Sequence, residues 1–447
     1  MKQEITNELI NARTLAGFRD ILPATEIIKE SMLDKIRKVF KKYGFLPIET
    51  PHLEFTEVLI GKGSDEINKQ LYRFNDNGGR DVTLRFDHTV PLARFVVQNK
   101  DKISFPFKRY AIGNVFRGES PRAGRYREFT QCDFDYIGTY SLAADAEIIQ
   151  VMADSMTSLG IKSFTIFINN RKVLNGLCEY LGVFDKVVEI LIWVDKINKI
   201  GLEEVRKGLI DDVRLDFDAA TEIIEFINIR QIDYPTDFFE IIEKYKSYND
   251  LMRDGILELE YLFNILKMLP INEKNFAIDF SIARGLGYYT GIIYETILNQ
   301  LPQIGSVCSG GRFDNLTKSF SDDNLPGVGA SIGLDRLLAA LEKLELINMK
   351  STTADVLVAN LDHEYIPSSM LFAHKLRQSN INVEVYPEAI KLGKQFNFAS
   401  NKGHNFLIAY GEIEAKMDNY TVSDMRTGEK FKGLTFEQVI QKIHHNN

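Results

Sequence analysis

The stretch Phe116-Arg117-Gly118-Glu119-Ser120-Pro121-Arg122-Ala123-Gly124-Arg125-Tyr126-Arg127-Glu128-Phe129-Thr130-Gln131-Cys132-Asp133-Phe134-Asp135 decides the reading of this chain. It connects two alternating runs, Arg109 to Glu119 and Tyr126 to Tyr136, through the loop Ser120 to Gly124. That is the pattern of an antiparallel hairpin with an open, basic tip. Alternation puts Arg117 and Glu119 on one face of the first strand, and Arg127, Gln131, Asp133 and Asp135 on one face of the second. Such a row of charged and amide groups is costly to bury without partners. A solvated sheet face accommodates it. Both runs are also rich in apolar and aromatic residues, as buried strands are, which favours the wall of a cleft that takes a polar ligand.

Upstream, Gly17-Phe18-Arg19-Asp20-Ile21-Leu22-Pro23 is a turn-rich lead into a helix on which Ile28, Met32, Leu33, Ile36, Val39, Phe40 and Tyr43 repeat at helical spacing. Gly44 stops that helix. Pro47 and Pro51 then hold Phe45 to Pro51 extended. By itself this segment reads as helix-on-sheet packing, with a subunit-pairing surface as the alternative. Thr83 to Asp87 reads as a strand, and Thr89 as the N-cap of a helix opened by Val90-Pro91.

Downstream, residues 142 to 158 read as helix and Ser163 to Ile168 as strand. From about 170 to 268 the texture is helical, with Leu259, Leu262, Phe263, Leu266 and Leu269 on one face and Pro270 as the stop. Strand character returns at Phe276 to Ile282 and at Gly291 to Ile297. The helical block therefore reads as an insertion in a β-rich domain. After the joint Met349 to Thr353, strands and helices alternate: Asp355 to Ala359, Ser368 to Gln378, Val383 to Tyr386, Ile390 to Lys402, Phe406 to Tyr410. That alternation describes a small α/β domain with its own core.

The 447 residues exceed one ordinary domain and suggest about three. Hydrophobic residues at 45% and charged residues at 26% exclude a largely disordered chain. With 54 Lys+Arg against 62 Asp+Glu, the net charge of -8 argues against nonspecific coating of nucleic acid while leaving room for local basic surfaces. Cys132, Cys178 and Cys308 are far apart and lack metal-ligand spacing, so neither a disulfide scaffold nor a structural zinc is expected. There is no run of about 18 apolar residues, and no membrane span is expected. The first residues lack the apolar core of a signal peptide, so the expectation is a cytoplasmic protein.

Three further constellations carry chemistry. Arg284-Gly285-Leu286-Gly287-Tyr288-Tyr289-Thr290-Gly291 sets a guanidinium beside glycines and two hydroxyls, which suits a phosphate or carboxylate; a glycine-rich turn explains the same residues. Gly310-Gly311-Arg312 reads as a turn. Pro326 to Arg336 combines small residues, which permit close approach of backbone to a flat ligand, with a helix starting near Ile332. Arg336 on that helix could face a phosphate chain, and taken alone it reads more readily as a surface arginine. No P-loop, Ser/His/Asp signature or zinc-protease motif occurs. Several arginines and no nucleophile suit chemistry done by positioning and charge neutralisation, as in attack on a nucleotide α-phosphate.

In this order the segments resemble the histidyl-tRNA synthetase family of class II aminoacyl-tRNA synthetases, over nearly the whole length. The helix with Thr50-Pro51 is similar to class II motif 1, the dimer-forming element. FRGESPRAGRYREFTQCDFD is similar to motif 2, and GVGASIGLDRL to motif 3. ARGLGYYTG and SVCSGGRFDNL are similar to the two histidine-specific motifs. The resemblance implies an α+β fold: an antiparallel six-stranded class II sheet flanked by helices, a helical insertion, and a C-terminal α/β anticodon-binding domain. The corresponding spans are 1–169 and 271–348 for the catalytic domain, 170–270 for the insertion and 354–447 for the anticodon-binding domain.

It also implies an enzyme that activates L-histidine with ATP and transfers it to tRNA(His), with Mg2+ accompanying the ATP and a homodimer as the assembly. Asp87, Thr89 and Gln131 would hold the histidine α-amino group. Asp135 and Tyr289 would meet the two imidazole nitrogens, with Tyr288 lining the pocket. Arg117 would contact the α-phosphate and the histidine carboxylate, Glu119 the adenine amino group, Arg125 the triphosphate and Arg336 the γ-phosphate. Arg284 would stabilise the charge developing at the α-phosphate, and Arg122 at the loop tip would enter the tRNA acceptor stem. Lys391, Lys394 and Lys402 are candidates for anticodon contact by charge alone. One departure stands out: the family usually has an aspartate where this chain has Gly287, which bears on the Arg284 loop and on histidine affinity.

Two alternatives stand beside this reading. The regulatory paralogue of ATP phosphoribosyltransferase keeps the fold without charging tRNA, but lacks the C-terminal domain and has eroded the catalytic arginines. This chain retains residues 354–447 with Arg117, Arg284 and Arg336. The other alternative is a synthetase-like tRNA-binding protein without activity, against which Arg284 and Arg336 also argue.

Overall fold

The alternation read in the sequence becomes register in the structure, a computed structural model that describes residues 10–60, 68–121, 124–233, 237–283, 289–347 and 349–445. Its strands are β1 (Leu46–Pro47), β2 (Leu53–Phe55), β3 (Arg73–Asn75), β4 (Asp81–Leu84), β5 (Phe107–Phe116), β6 (Glu128–Ile137), β7 (Phe164–Asn170), β8 (Phe276–Ile278), β9 (Ile292–Leu298), β10 (Cys308–Arg312) and β11 (Gly327–Gly333). After residue 350 come β12 (Val356–Asn360), β13 (Val383–Val385), β14 (Phe406–Tyr410), β15 (Tyr420–Asp424) and β16 (Lys430–Leu434). The chain divides into two compact units, Met1–Arg19 with Leu33–Leu346, and Asp20–Met32 with Ile347–Asn447.

The first unit is built on an eight-stranded sheet in the order β1-β5-β6-β11-β10-β9-β7-β8. The six inner strands, β5 to β7 in that order, are antiparallel to one another. The expected six-stranded antiparallel sheet is therefore present, and short parallel strands β1 and β8 extend its two edges. Strand β1 is two residues long and ends in Pro47, which cannot donate to a ladder; both properties blunt an edge. The hairpin β5–β6 pairs in unbroken register from Phe107 opposite Ile137 to Phe116 opposite Glu128. Phe134 on β6 is fully buried against Phe40 and Phe45, at ring-centroid distances of 4.8 and 6.0 Å.

Several boundaries differ from the sequence reading: the first hairpin strand ends at Phe116, so Arg117 and Glu119 lie just past it, and four further differences have a clear local cause. The strand expected over Thr83 to Asp87 ends at Leu84, because Arg85 turns away: its amide donates to His52 O, and its guanidinium to Asn114 O and Thr50 O. Thr89 is the first residue of the helix Thr89–Gln98 rather than its cap. The capping acceptor is Asp87 Oδ1, 3.1 Å from Thr89 N and 3.0 Å from Val90 N. The strand expected over Phe276 to Ile282 stops at Ile278, and Asp279 then accepts from the Ser281 amide in a turn. The helix expected near Ile332 begins at Leu334, since β6 and β10 pair with both edges of Gly327–Gly333 and keep it a strand.

Between residues 170 and 268 the structure is helical, from Arg171–Tyr180 to Asp250–Met268. Leu259, Leu262, Phe263 and Leu266 are buried on one face of the last helix, as their spacing requires. The second unit carries a five-stranded sheet, β13-β12-β14-β15-β16, whose core includes Val356, Val358, Phe372, Leu376, Phe406, Ile408 and Val422. Among the described residues no helix is long and apolar enough to cross a membrane.

Candidate functional site

The site is a consequence of period-two alternation on one central strand. Gln131, Asp133 and Asp135 leave the same face of β6 and line a cleft of about 500 Å³ in the first unit. The neighbouring strand β11 sets Gly333, Ser331 and Gly329 opposite them. A Cβ on Gly329 would stand 2.1 Å from Asp135 Oδ1, and one on Gly310 of β10 would stand 2.0 Å from Gly329 O. Only glycine fits at both, so the floor of the cleft there is backbone and carboxylate.

Arg109 of β5 lies directly across from Asp135. Its Nη2 is 2.6 Å from Asp135 Oδ2, an ion pair by distance whose angles fall outside hydrogen-bond geometry. Both side chains are buried. Burial pushes the Asp135 carboxyl up to about 7; Arg109 opposes this, and the nearby carboxylates Asp133 and Asp87 reinforce it. Burial likewise raises Asp87, against the Val90 amide and Arg117. It raises Asp133 too, against Arg109, Ser331 and Arg117. His88 is pushed down to about 3 by burial and by Arg85 and Arg109, so it is neutral near pH 7. Gln131 Oε1 and Asp133 Oδ1 are buried acceptors with no hydrogen-bond partner among the described residues. This end of the cleft is therefore made to receive N–H donors.

The other end is cationic. Arg117 donates to Phe86 O at 3.2 Å, with its guanidinium 4.4 Å from the centre of the Phe86 ring and 5.1 Å from that of Phe129. Arg125 pairs with Glu119 at 3.3 Å. Arg336, in the first turn of the helix Leu334–Lys343, donates to Ser306 O at 2.6 Å. Asp87, Thr89, Arg117, Glu119, Arg125, Gln131, Asp135, Tyr289 and Arg336 all line this one cleft. Arg122, Arg284, Gly287 and Tyr288 lie outside the described residues.

Arg127 departs from the sequence reading. Strand β6 begins at Glu128, so alternation does not extend to Arg127; its side chain donates to Glu119 O and Ala16 O and does not line the cleft. Other residues went unread. Arg109 was visible only as a strand residue, and pairing it with Asp135 needs the register. Arg312, read as part of a turn, is buried on β10, where its guanidinium pairs with Asp145 and with Asp314. Asp195 and Lys199, from the helical stretch after residue 170, also line the cleft, and no local signal marks them.

The family model described as histidyl-tRNA synthetase matches residues 17–337, more than half of the chain. This chain belongs to the histidyl-tRNA synthetase family. A second model, described as anticodon binding domain, matches residues 355–446. The chain is 51% identical over 429 residues to the histidine–tRNA ligase of Wolinella succinogenes, covering 96% of this chain and 97% of that one. It is 50% identical over 437 residues to the histidine–tRNA ligase of Helicobacter hepaticus, covering 97% and 99%. Among solved structures it is similar to histidyl-tRNA synthetase from Nostoc sp. PCC 7120, with a TM-score of 0.88 and 34% identity over 98% of this chain and all of that one. The histidyl-tRNA synthetase reading of the five sequence segments thus holds over the regulatory-subunit alternative.

Proposed function

We propose that this histidine–tRNA ligase makes histidyl-adenylate in the cleft of Asp87, Gln131, Asp135, Arg117 and Arg336. One observation carries the reading: partnerless buried acceptors at one end of a single cleft and guanidinium groups at the other. That polarity suits an ammonium and an imidazole N–H on one side and a triphosphate on the other. Asp87, Thr89 and Gln131 hold the α-amino group; Asp135 and Tyr289 take the imidazole nitrogens, with Tyr288 lining the pocket. Buried partners of this kind reject an apolar side chain of the same size, because it would leave them unpaired.

Arg117 bridges the histidine carboxylate and the α-phosphate, Glu119 meets the adenine amino group, and Arg125 and Arg336 hold the triphosphate. The carboxylate oxygen attacks the α-phosphorus and pyrophosphate leaves. The 3′-hydroxyl of tRNA(His) then attacks the adenylate carbonyl and AMP leaves. Arg284 stabilises the charge that builds at the α-phosphate, and Arg122 meets the acceptor stem. Mg2+ would enter with ATP, as part of the substrate.

Residues 170–270 form the helical insertion between the catalytic spans 1–169 and 271–348, and residues 354–447 read the anticodon. The assembly is a homodimer working in the cytoplasm. Exposed Leu46, Leu53, Phe55 and Phe74 on β1 to β3 support the pairing of two copies.

Histidine-dependent ATP–pyrophosphate exchange, followed by charging of tRNA(His), tests the reading. Both should proceed, and Arg284→Ala should slow adenylate formation at least about a hundredfold, the scale for one lost charge-stabilising contact. An exchange rate near wild type in that variant removes Arg284 from the chemistry.

A further inference from the structure

The turn Gly17 to Pro23, read from the sequence only as the lead into a helix, takes no part in the steps above. In the structure its first residues strap the ATP side of the cleft. Gly17 O accepts from Arg127 N at 2.9 Å, and Ala16 O from Arg127 Nη1 at 3.1 Å. The strap therefore lies along the base of the hairpin loop, where Arg117 N donates to Arg127 O at 2.9 Å. Phe18 meets Tyr72 edge-on, with ring centroids 5.9 Å apart.

Arg19 makes two contacts at once. Its guanidinium lies 3.7 Å from the centre of the Tyr126 ring, and its Nη2 pairs with Asp335 Oδ1. Asp335 is buried, and its Oδ2 accepts from Thr130 N at 2.7 Å. One side chain thus joins the neighbour of Arg125, the neighbour of Arg336 and the strand that carries Gln131. Asp335 matters here because the helix Leu334–Lys343 has no side-chain cap at its start. Its first turn is instead tied down through the Asp335 carboxylate. Tyr126, Asp335 and Arg336 line the cleft, and Arg19 stands behind them.

We infer that Arg19 is a positioning residue for ATP, holding Asp335 and Tyr126 so that Arg336 and Arg125 stay aimed at the triphosphate. The inference rests on the ATP role proposed for those two arginines. Without Arg19 the Asp335 carboxylate keeps the Thr130 amide but loses its cation, and the helix start and the Tyr126 segment come apart. The histidine end is held by other contacts, Asp87 by the Thr89 and Val90 amides and Asp135 by Arg109.

The test is ATP–pyrophosphate exchange by the full chain, varying ATP and histidine separately. Arg19→Ala should raise KM for ATP about tenfold, the factor for one lost charge-assisted hydrogen bond, with KM for histidine within about twofold of wild type. Arg19→Lys keeps a cation for Asp335 without the planar stack on Tyr126, so it should recover part of the loss. Equal rises in both KM values would mark a merely structural role and overturn the inference. So would an unchanged KM for ATP. Should Arg19→Ala fail to fold, Arg19→Lys carries the same test, with a selective rise of about threefold expected. Arg336→Ala separates the two levels. If it raises KM for ATP while the Arg19 variants do not, the strap has no such role; if it leaves KM for ATP unchanged, the ATP reading itself fails.

Discussion

Arg109 and Asp135 face each other across β5 and β6 at 2.6 Å, and both side chains are buried. A buried pair of this kind adds little over an apolar pair, but removing one member strands the other charge. With Asp135 pushed up to about 7 even beside Arg109, that penalty is full only at alkaline pH: Arg109→Ala should destabilise the fold by about 3–5 kcal/mol in urea denaturation near pH 9. The loss should shrink at lower pH, where Asp135 takes up a proton. A cost below about 1 kcal/mol near pH 9 would show that the pair is solvated rather than enclosed.

The raised carboxyls give stability a definite slope with pH. Asp135 is pushed up to about 7 and Asp145 up to about 6, in each case by burial acting against an arginine. Between the ordinary carboxylate value and these levels, the folded chain holds protons that the unfolded chain has released. Stability should fall as pH rises through that window. Binding should move the other way, since ionised Asp135 is the better acceptor for an imidazole N–H. KM for histidine should drop several-fold from about pH 6 to about pH 8, and Asp135→Asn should flatten the profile. A profile in Asp135→Asn that matches wild type would assign the titration elsewhere.

Arg312 anchors the strand that leads to the end of the cleft proposed to take histidine. It pairs with Asp145, donates to Thr139 O and Ser141 O, and its own carbonyl accepts from Thr290 N beside Tyr289. Lysine cannot reproduce that fork. Arg312→Lys should lose about 2–3 kcal/mol of stability, and raise KM for histidine about fivefold while leaving KM for ATP alone. Parallel rises in both constants would argue that the whole cleft had loosened.

In the second unit, Lys391 and Lys394 are exposed, whereas Lys402 is held by both Glu384 oxygens at 2.8 and 3.0 Å. The double variant Lys391→Glu/Lys394→Glu should weaken tRNA charging about tenfold at moderate salt and leave pyrophosphate exchange untouched. Lys402→Ala should do less. Unaltered charging in the double variant would move the anticodon contact to another face.

Much of this was legible because the site is built on alternation. Gln131, Asp133 and Asp135 could be placed on one face from spacing alone, and the helical run from 170 to 268 announced itself by period. What escaped depended on which strands meet. Nothing local to Arg109 says that Asp135 will lie opposite. Nothing local to Gly327–Gly333 says that partners on both sides will keep it a strand. Arg85 ends β4 early by bonding to Thr50, His52 and Asn114, contacts that exist only after folding. Thr89 is not the cap because the helix starts one residue earlier than spacing suggests: His88 holds the N-cap position and the Asp87 carboxylate takes the first amides.

The glycines of β10 and β11 bear on any attempt to retrain the enzyme toward an unnatural amino acid. Gly310 and Gly329 sit where a single added carbon would strike backbone or Asp135. A library randomised at those positions would return mostly misfolded clones. New selectivity has to be sought around the rim, at Tyr289, Thr89 or Gln131, where side chains rather than main chain draw the outline.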